Sequence, residues 1–341
     1  MTPSDRVSSH LNVRSGPGTD NPVISKLVPD DSADLLDEVP YWYQVRLGSG
    51  DEGFVSKAWA TVIPTDTLLR LGAWNIKKLG HSNDKDFATV AQIIEDHFDI
   101  LAVVEVMQKQ RDHPGYDDLM ATLSEGWAGM VTATPRPRTG SGNSEFYAVV
   151  YRKDRVRPCE GWDTLRYQVD NDGSDTGQGP DHFSREPAYG CFASPVDGAI
   201  GVDFLLGAYH ARWAGGDTSA IQGEAEQLDA VFDAMGAARP GEGDLWIVGD
   251  FNLVPADLAE IFQSGDRTQG SGSTLNTQGE LTDNLYDHVL VHDEAASDEL
   301  VGNAHVLDAR DSVDTPKEFY DRVSDHLPIV ISVQAGGPDD D

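Results

Sequence analysis

The chain has 341 residues, 39% of them hydrophobic, which is enough for one large packed domain and a second, small one. Asp and Glu number 58 against 25 Lys and Arg, so the formal net charge is -33. This balance disfavours a protein that binds nucleic acid through basic residues alone, because affinity for phosphates comes mainly from Lys and Arg. No apolar run approaches the roughly 18 residues of a membrane-spanning helix, which excludes a helical membrane protein.

The acidic residues are spread along the chain, and Lys is scarce. Their repulsion is screened at roughly 1 M salt, where the Debye length falls to about 3 Å. We interpret this composition as salt adaptation, with an ordinary acidic protein as the alternative. The initial segment MTPSDRVSSHLNVRSG has no apolar stretch, which predicts no signal peptide in the sequence as given. Cys159 and Cys191 could pair in an exported protein or remain two small buried residues.

Residues 1–66 are predicted to form a separate small module, with a linker in 61–67. Short strands separated by Asp/Gly turns are predicted at 23–27, 33–36, 42–47 and 53–55, after a strand that begins at Leu11. This pattern predicts a small β-barrel, and the segments LNVRSGPGTD, WYQVRL and GFVSKAW resemble bacterial SH3-like domains. The resemblance implies binding to the cell wall or another polymer. A module that only packs against its neighbour is the alternative.

The remaining residues are predicted to form a larger domain over 67–335 and an acidic tail over 336–341. Hydrophobic strands are predicted at 69–74, 99–104, 145–152, 204–209, 245–252, 286–291 and 328–333. Apolar residues recur at helical spacing over 87–98, 116–123 and 219–235, and a polar loop is predicted at 170–181. The alternation of strands and helices predicts an α/β domain.

The segment LWIVGDFN, residues 245–252, is the most informative stretch of this domain. Its apolar start predicts a buried strand, and Gly249 is expected to hold a conformation that a β-carbon would forbid. Asp250 and Asn252 are one residue apart, so an extended segment would place them on the same side. A carboxylate and an amide at one point suit a divalent cation or a phosphate held by one. An ordinary turn after a strand is the alternative.

Other polar residues also lie at or beside the ends of predicted strands, where α/β sheets place their chemistry. The complete set is Asn75, Glu105, Glu145, His210, Asp250, Asn252, Asp287, Asp325 and His326. Carboxylates such as Glu105 and Asp250 can bind Mg²⁺ or Ca²⁺. One histidine could activate water and the other protonate a leaving oxygen. The set therefore predicts metal-assisted hydrolysis of a phosphoester.

Seven segments resemble, in order, the motifs of the endonuclease/exonuclease/phosphatase superfamily. They are WNIKKLG (74–80), VVEVM (103–107), SEFYAVVYR (144–152), GAYHARW (207–213), VGDFN (248–252), YDHVLV (286–291) and SDHLPI (324–329). Together with SREPAYGCF (184–192) and His210, they are most similar to the deoxyribonuclease I branch. The resemblance implies a four-layer α/β (α+β) sandwich, with helices flanking two packed β-sheets, beside the all-β SH3-like barrel.

The resemblance also implies a role for each site residue. Glu105 would be the principal ligand of Mg²⁺, or of Mn²⁺ or Ca²⁺, with further metal and phosphate contacts from Asn75, Asp250 and Asp325. Asn252 would orient the scissile phosphate, and Arg185 would grip a DNA phosphate. The general acid and base would be His210, supported by Glu145, and His326, supported by Asp287.

Two residues depart from the deoxyribonuclease I pattern: Met107 stands where that family has a groove-reading arginine, and Asn143 where it has a stacking tyrosine. The prediction is a monomeric, metal-dependent DNA endonuclease that is secreted or on the cell surface, with a cytoplasmic location still open. The alternatives are a phosphodiesterase or phosphatase for a lipid or sugar phosphate, and a non-catalytic cell-wall-binding protein. An intact set of polar residues disfavours the last alternative.

Overall fold

The computed structural model describes most of residues 1–335. The residues left undescribed are 5, 30, 49, 63–66, 82–83, 111, 137–143, 169–181, 197–198, 214, 216–217, 263–264, 293–298 and 336–341. The predicted loop at 170–181, Asn143, most of the predicted linker and the acidic tail therefore lie outside the described residues.

The N-terminal module is a small all-β unit, as predicted. Its strands are β1 (Thr2–Pro3), β2 (Leu11–Arg14), β3 (Val23–Leu27), β4 (Ala33–Val39), β5 (Trp42–Leu47), β6 (Glu52–Ser56) and β7 (Ala60–Thr61). Five of them form one sheet in the order β3-β2-β6-β5-β4, and β1 pairs with β7. Because side chains alternate along a strand, Val13, Val45 and Val55 all point inward and are fully buried.

The larger domain contains thirteen strands among the described residues. They are β8 (Leu68–Leu79), β9 (Ile100–Met107), β10 (Trp127–Val131), β11 (Glu145–Arg152), β12 (Arg157–Pro158), β13 (Arg166–Tyr167), β14 (Ala188–Val196), β15 (Ala199–His210), β16 (Leu245–Asp250), β17 (Thr268–Gln269), β18 (Asp287–Val291), β19 (Leu300–Val306) and β20 (Ile329–Gln334). One sheet has the order β10-β11-β9-β8-β20-β19-β17. The other has the order β12-β14-β15-β16-β18, with β13 paired to β14.

In the described part of the chain, six α-helices cover the outer faces of the two sheets. They are α1 (Phe87–His97), α2 (Pro114–Thr122), α3 (Thr218–Ala225), α4 (Leu228–Ala238), α5 (Pro255–Leu258) and α6 (Pro316–Arg322). The central core lies between the sheets and includes Phe204 and Trp246. Helices α1, α2 and α6 pack on the first sheet, and α3, α4 and α5 pack on the second. This arrangement confirms the predicted four-layer sandwich.

The predicted helix over 219–235 is two helices in the structure, α3 and α4. Its apolar stripe was read correctly, since Ile221, Leu228 and Phe232 are all buried. Glu224 interrupts that stripe and is only 2% exposed. Its carboxylate accepts hydrogen bonds from Ser184 N, Arg212 N and the Tyr209 hydroxyl. These partners are distant in sequence, so periodicity alone cannot reveal them.

A disulfide and a contact between the two domains connect distant parts of the chain. Cys159 and Cys191 form a disulfide, which decides between the two alternatives left open by the sequence. The N-terminal module contacts strand β19, where Asn303 Nδ2 donates to Asp31 Oδ1 at 3.2 Å. At Gly302 the approach is so close that a β-carbon would lie 2.3 Å from Ser32 Oγ.

No helix in the described part of the chain is long and apolar enough to cross a membrane.

Candidate active site

Asp250 lies at the end of β16, a strand whose residues are all buried. Parallel pairing of β15 with β16 places His210 opposite Asp250, and antiparallel pairing of β18 places Asp287 on its other side. Gly249 has φ +142°, and a β-carbon there would lie 2.0 Å from Tyr209 O. A glycine is therefore required for the three strands to bring these side chains together.

The expectation that Asp250 and Asn252 share one side of an extended segment was wrong. β16 ends at Asp250, and Asn252 has φ +51°, in the left-handed region. The turn closes because Asn252 N donates to Asp250 Oδ1 at 3.0 Å. The Asn252 side chain points toward the end of β15, where its Nδ2 donates to Ala211 O at 3.1 Å.

His210 and Glu145 form the first of two histidine–carboxylate pairs. His210 Nδ1 lies 2.7 Å from Glu145 Oε2, and both residues are buried. Burial and the charge of Arg185 lower the pKa of His210, but the charges of Glu145 and Asp250 outweigh them and raise it. The carboxylate fixes the ring with Nδ1 toward Glu145 and leaves Nε2 for chemistry.

His326 and Asp287 form the second pair, with His326 Nδ1 2.8 Å from Asp287 Oδ2. Two hydrogen bonds fix the backbone of His326: His326 N donates to Ser324 Oγ, and His326 O accepts from the Trp74 indole. Burial lowers the pKa of His326, but the charges of the surrounding aspartates and the hydrogen bond to Asp287 raise it to about 10.

Both histidines face the same oxygen atom. His210 Nε2 lies 3.7 Å and His326 Nε2 lies 3.6 Å from Asp250 Oδ2. Two imidazoles therefore converge on one carboxylate from different strands, at distances that leave their Nε2 atoms free of a tight hydrogen bond. This geometry can deliver a proton to one reacting group and remove a proton from another.

Asn75 joins Asp250 to Glu105. Its Nδ2 donates to Asp250 Oδ2 at 3.0 Å and to Glu105 Oε1 at 3.1 Å. Glu105 has φ +60°, an uncommon conformation for a residue with a side chain, and its Oε2 accepts from Lys78 N at 2.7 Å. The bent backbone aims this carboxylate at the same cleft.

Asp325 lies at the rim of the site, where its carboxylate pairs with Lys77 Nζ at 3.7 Å. Lys77 also lies over the Tyr320 ring, 3.3 Å from its centroid, and donates to Tyr320 O. In the sequence, Lys77 is marked only by its position two residues after Asn75, so it was not predicted as a site residue.

The donor set fits a hard divalent cation, which prefers oxygen ligands. Among the described residues, Asp250, Asp287 and His326 offer ligand atoms that all lie within 4.8 Å of one another. Asp287 Oδ1 is buried without a hydrogen-bond partner in the described structure. The charges of Asp287, Asp250 and Asp325 raise the pKa of His326, and the carboxylate of Glu105 adds further negative charge to the cleft. A cation here would neutralise this excess of negative charge.

Arg185 is bound mainly within the protein, and its contact with a DNA phosphate stays a prediction. Its side chain is only 14% exposed, and Nη1 pairs with Glu145 Oε1 at 3.2 Å. Nε donates to His210 O and Nη2 donates to Ala211 O. All three nitrogens thus hold the Glu145–His210 pair and its strand in place. The geometry favours a positioning role over the predicted phosphate contact.

Two buried serines that the sequence analysis missed complete the site. Ser273 Oγ donates to Asp287 Oδ2 at 2.6 Å and accepts from Tyr286 N. Ser324 Oγ donates to Asn75 O at 2.6 Å. Ser324 had a weak signal, since it begins the SDHLPI motif, whereas Ser273 stands in a polar stretch without any pattern.

Family models match both parts of the chain. The model of the Endonuclease/Exonuclease/phosphatase family matches residues 72–326, and the model of the bacterial SH3 domain matches residues 9–61. The chain therefore belongs to the Endonuclease/Exonuclease/phosphatase family, a class of hydrolases that generally use a divalent metal. Its N-terminal module is a bacterial SH3 domain.

Individual relatives agree with this assignment. A deoxyribonuclease of Thioalkalivibrio sp. (strain K90mix) is 28% identical over 287 residues, 79% of this chain and 73% of that protein. Deoxyribonuclease-1 of Oryctolagus cuniculus is 25% identical over 289 residues, 80% of this chain and 95% of that protein. An endonuclease/exonuclease/phosphatase structure from Bacteroides vulgatus has a TM-score of 0.54 at 19% identity, covering 78% of this chain and 98% of that one. The predicted membership and fold are confirmed.

Proposed function

We propose that this protein is a divalent-metal-dependent endonuclease that hydrolyses phosphodiester bonds of DNA. The observation that carries the proposal is the convergence of two histidine–carboxylate pairs on Asp250 Oδ2, at 3.7 and 3.6 Å from the two Nε2 atoms. The deoxyribonuclease names of the relatives support DNA as the substrate.

In this mechanism the chain's own residues position the phosphate and move two protons. Asn252, at the turn beyond β16, orients the scissile phosphate beside Asp250. One imidazole takes a proton from the attacking water, and the other gives a proton to the leaving oxygen. Glu145 and Asp287 hold the rings in the correct orientation and stabilise each imidazolium when it forms.

Mg²⁺, or Mn²⁺ or Ca²⁺, would be held by Glu105, Asp250 and Asp325 with help from Asn75. Of the Asp250–Asp287–His326 cluster, only Asp250 would then be a ligand, because Asp287 and His326 serve proton transfer. When bound, it neutralises negative charge that develops on the phosphoryl oxygens. We expect EDTA to abolish hydrolysis and added Mg²⁺ to restore it. Full activity in EDTA would contradict the metal-dependent mechanism.

We further propose a monomeric, exported enzyme, with a bacterial SH3 domain over 1–66 that holds it near a cell wall or another polymer and a catalytic domain over 67–335. The Cys159–Cys191 disulfide supports export, because disulfides persist in oxidising compartments. The net charge of -33 supports salt adaptation, because salt would screen repulsion between this surface and DNA.

The test is incubation with supercoiled plasmid in Mg²⁺ across a NaCl series, beside a phospholipid vesicle as the control phosphodiester. We expect nicked and linear plasmid with activity persisting at molar NaCl, and no turnover of the lipid. Turnover of the lipid alone would favour a lipid phosphodiesterase. Loss of DNA cleavage well below molar salt would contradict salt adaptation.

A further inference from the structure

Two aromatic side chains stand beyond the end of β16, one from each neighbouring strand. Trp213 follows His210 at the end of β15, and Tyr286 immediately precedes Asp287 at the start of β18. Their ring centroids are 6.4 Å apart, with planes tilted by 53°. The two rings thus lie against each other beyond the strand that ends at Asp250.

Backbone contacts fix both residues relative to the catalytic groups. Phe251 N donates to Tyr286 O at 2.8 Å, and Tyr286 N donates to Ser273 Oγ, which also holds Asp287. On the other side, Ala211 O accepts from Asn252 Nδ2, and Arg212 N donates to Glu224. Tyr286 is therefore anchored directly to the frame that holds the two histidines, and Trp213 directly follows two residues that are anchored to it.

Trp213 is unusual in its exposure. Its side chain is 64% exposed, and only Trp213 and Leu281 of the catalytic domain are exposed large hydrophobics among the described residues. The exposed indole presents apolar surface beside the catalytic groups, and a ligand bound in the cleft could cover it. A nucleobase offers a flat apolar face of suitable size, and base–aromatic stacking does not depend on the base's identity.

The charge of the chain strengthens this argument. Arg185, which could have gripped a phosphate, is bound to Glu145, and Met107 carries no charge. Stacking supplies affinity for DNA without cations, and salt screens it far less than it screens ion pairs. An acidic nuclease that works in salt would gain most from such a contact.

We propose that Trp213, supported by Tyr286, is a substrate-positioning residue that stacks on a nucleobase next to the scissile phosphate. This proposal rests on the proposed DNA endonuclease function and names the part of the substrate that the cleft recognises. The contact fixes where the phosphate lies relative to Asp250, and because every base has a stacking face, cleavage would be tolerant of sequence.

The test combines Trp213→Ala with removal of a base from the substrate. The substrate is a short oligonucleotide in which every linkage but one is a phosphorothioate. Two analogues carry tetrahydrofuran in place of the nucleoside on the 5′ or the 3′ side of the cleavable bond. kcat/KM is measured for wild type, Trp213→Ala, Trp213→Phe and, as a control aromatic outside the cleft, Trp59→Ala.

We expect Trp213→Ala to lower kcat/KM about tenfold on the intact substrate, and one abasic analogue to lower it similarly for wild type. The two losses should not add, because each removes the same contact. Trp213→Phe should recover most of the loss, and Trp59→Ala should match wild type.

Equal losses for Trp213→Ala on intact and abasic substrates would overturn the stacking role and indicate a structural one. Unchanged kcat/KM in Trp213→Ala, with wild type active, would also overturn it while leaving the nuclease function intact. Wild type inactive on every oligonucleotide in Mg²⁺ would instead overturn the proposed function, and the stacking role with it.

Discussion

At the scale of single residues, the candidate site depends on backbone conformations that most side chains avoid. Glu105 and Asn252 have φ +60° and +51°, and Gly249 has φ +142°. A non-glycine residue in the left-handed region costs of order 1–3 kcal/mol, which packing elsewhere must offset. These three conformations direct the Glu105 carboxylate, the Asn252 amide and the end of β16 toward one cleft.

Gly249→Ala tests how strictly this geometry is required. The new β-carbon would meet Tyr209 O at 2.0 Å, so we expect a loss of roughly 3 kcal/mol or more in the free energy of unfolding. The matched control is Gly236→Ala in α4, where the nearest atom would be 3.7 Å away and stability should rise by roughly 0.5–1 kcal/mol. Denaturant unfolding measures both, and equal stabilities for Gly249→Ala and wild type would refute the close approach.

Arg185→Ala separates positioning from DNA binding. Because Arg185 holds Glu145 and the carbonyls of His210 and Ala211, its loss should lower kcat and reduce stability by about 3 kcal/mol. KM for DNA should change little. Arg212→Ala, at an exposed neighbouring arginine, is the control and should leave kcat unchanged. A raised KM with normal kcat in Arg185→Ala would restore the phosphate-gripping role.

At the scale of elements, three adjacent strands deliver the central groups of the site. β15, β16 and β18 end or begin at His210, Asp250 and Asp287, and their pairing register places these residues side by side. Each strand is a buried hydrophobic run, so a slip in register would expose apolar residues. The site is thus specified by the same burial that stabilises the sheet.

The disulfide stabilises one edge of that sheet. Cys159 and Cys191 are 32 positions apart, and closing a loop of this length restricts the unfolded chain by about 3–4 kcal/mol. We expect the double variant Cys159→Ala/Cys191→Ala to lose stability of this order in thermal unfolding. Wild type in excess reductant is the control and should behave like the variant. An unchanged melting temperature in both would contradict a stabilising bond.

At the scale of the whole molecule, the SH3 domain packs against the catalytic domain through β19. His305 lies in this contact, with Gly48 packed nearby and the charge of Asp34 acting on its ring. Burial lowers the pKa of His305 below its ordinary value of 6.5, although Asp34 opposes the shift. The folded state therefore resists protonation of this histidine.

This shift predicts a pH dependence of stability. Below about pH 6.5, His305 binds a proton more readily in the unfolded chain than in the folded chain. The folded state therefore loses stability as pH falls. His305→Gln lacks this proton uptake. The difference in unfolding free energy between variant and wild type should shift in the variant's favour below about pH 6.5 and be constant above about pH 7.5. A difference that is constant from about pH 5 to 8 would contradict the lowered pKa of His305.

Much of this molecule could be predicted from its sequence because hydrophobic strands and the polar residues at their ends are local signals. The strands at 23–27 and 42–47 match the structure residue for residue. The structure also connects Asn75, Glu105, His210 and His326 through contacts of 3.0–3.7 Å to Asp250 or Asn75. What the sequence could not reveal depends on contacts between distant positions. Neither the hydrogen bond from Arg185 to Glu145, 40 positions away, nor the hydrogen bonds from Ser184 N and Arg212 N to Glu224 have a local sequence signal.

The most direct test of the two-histidine site is the single-turnover rate of DNA cleavage by His210→Ala, His326→Ala and the double variant, with Mg²⁺ at saturation. If both imidazoles serve the same step around Asp250, each single variant should lose about 10²–10⁴ in rate while keeping the wild-type fold. The double variant should be little slower than the slower single one, because the pair acts as a unit. A rate within a few-fold of wild type in either single variant would contradict the account.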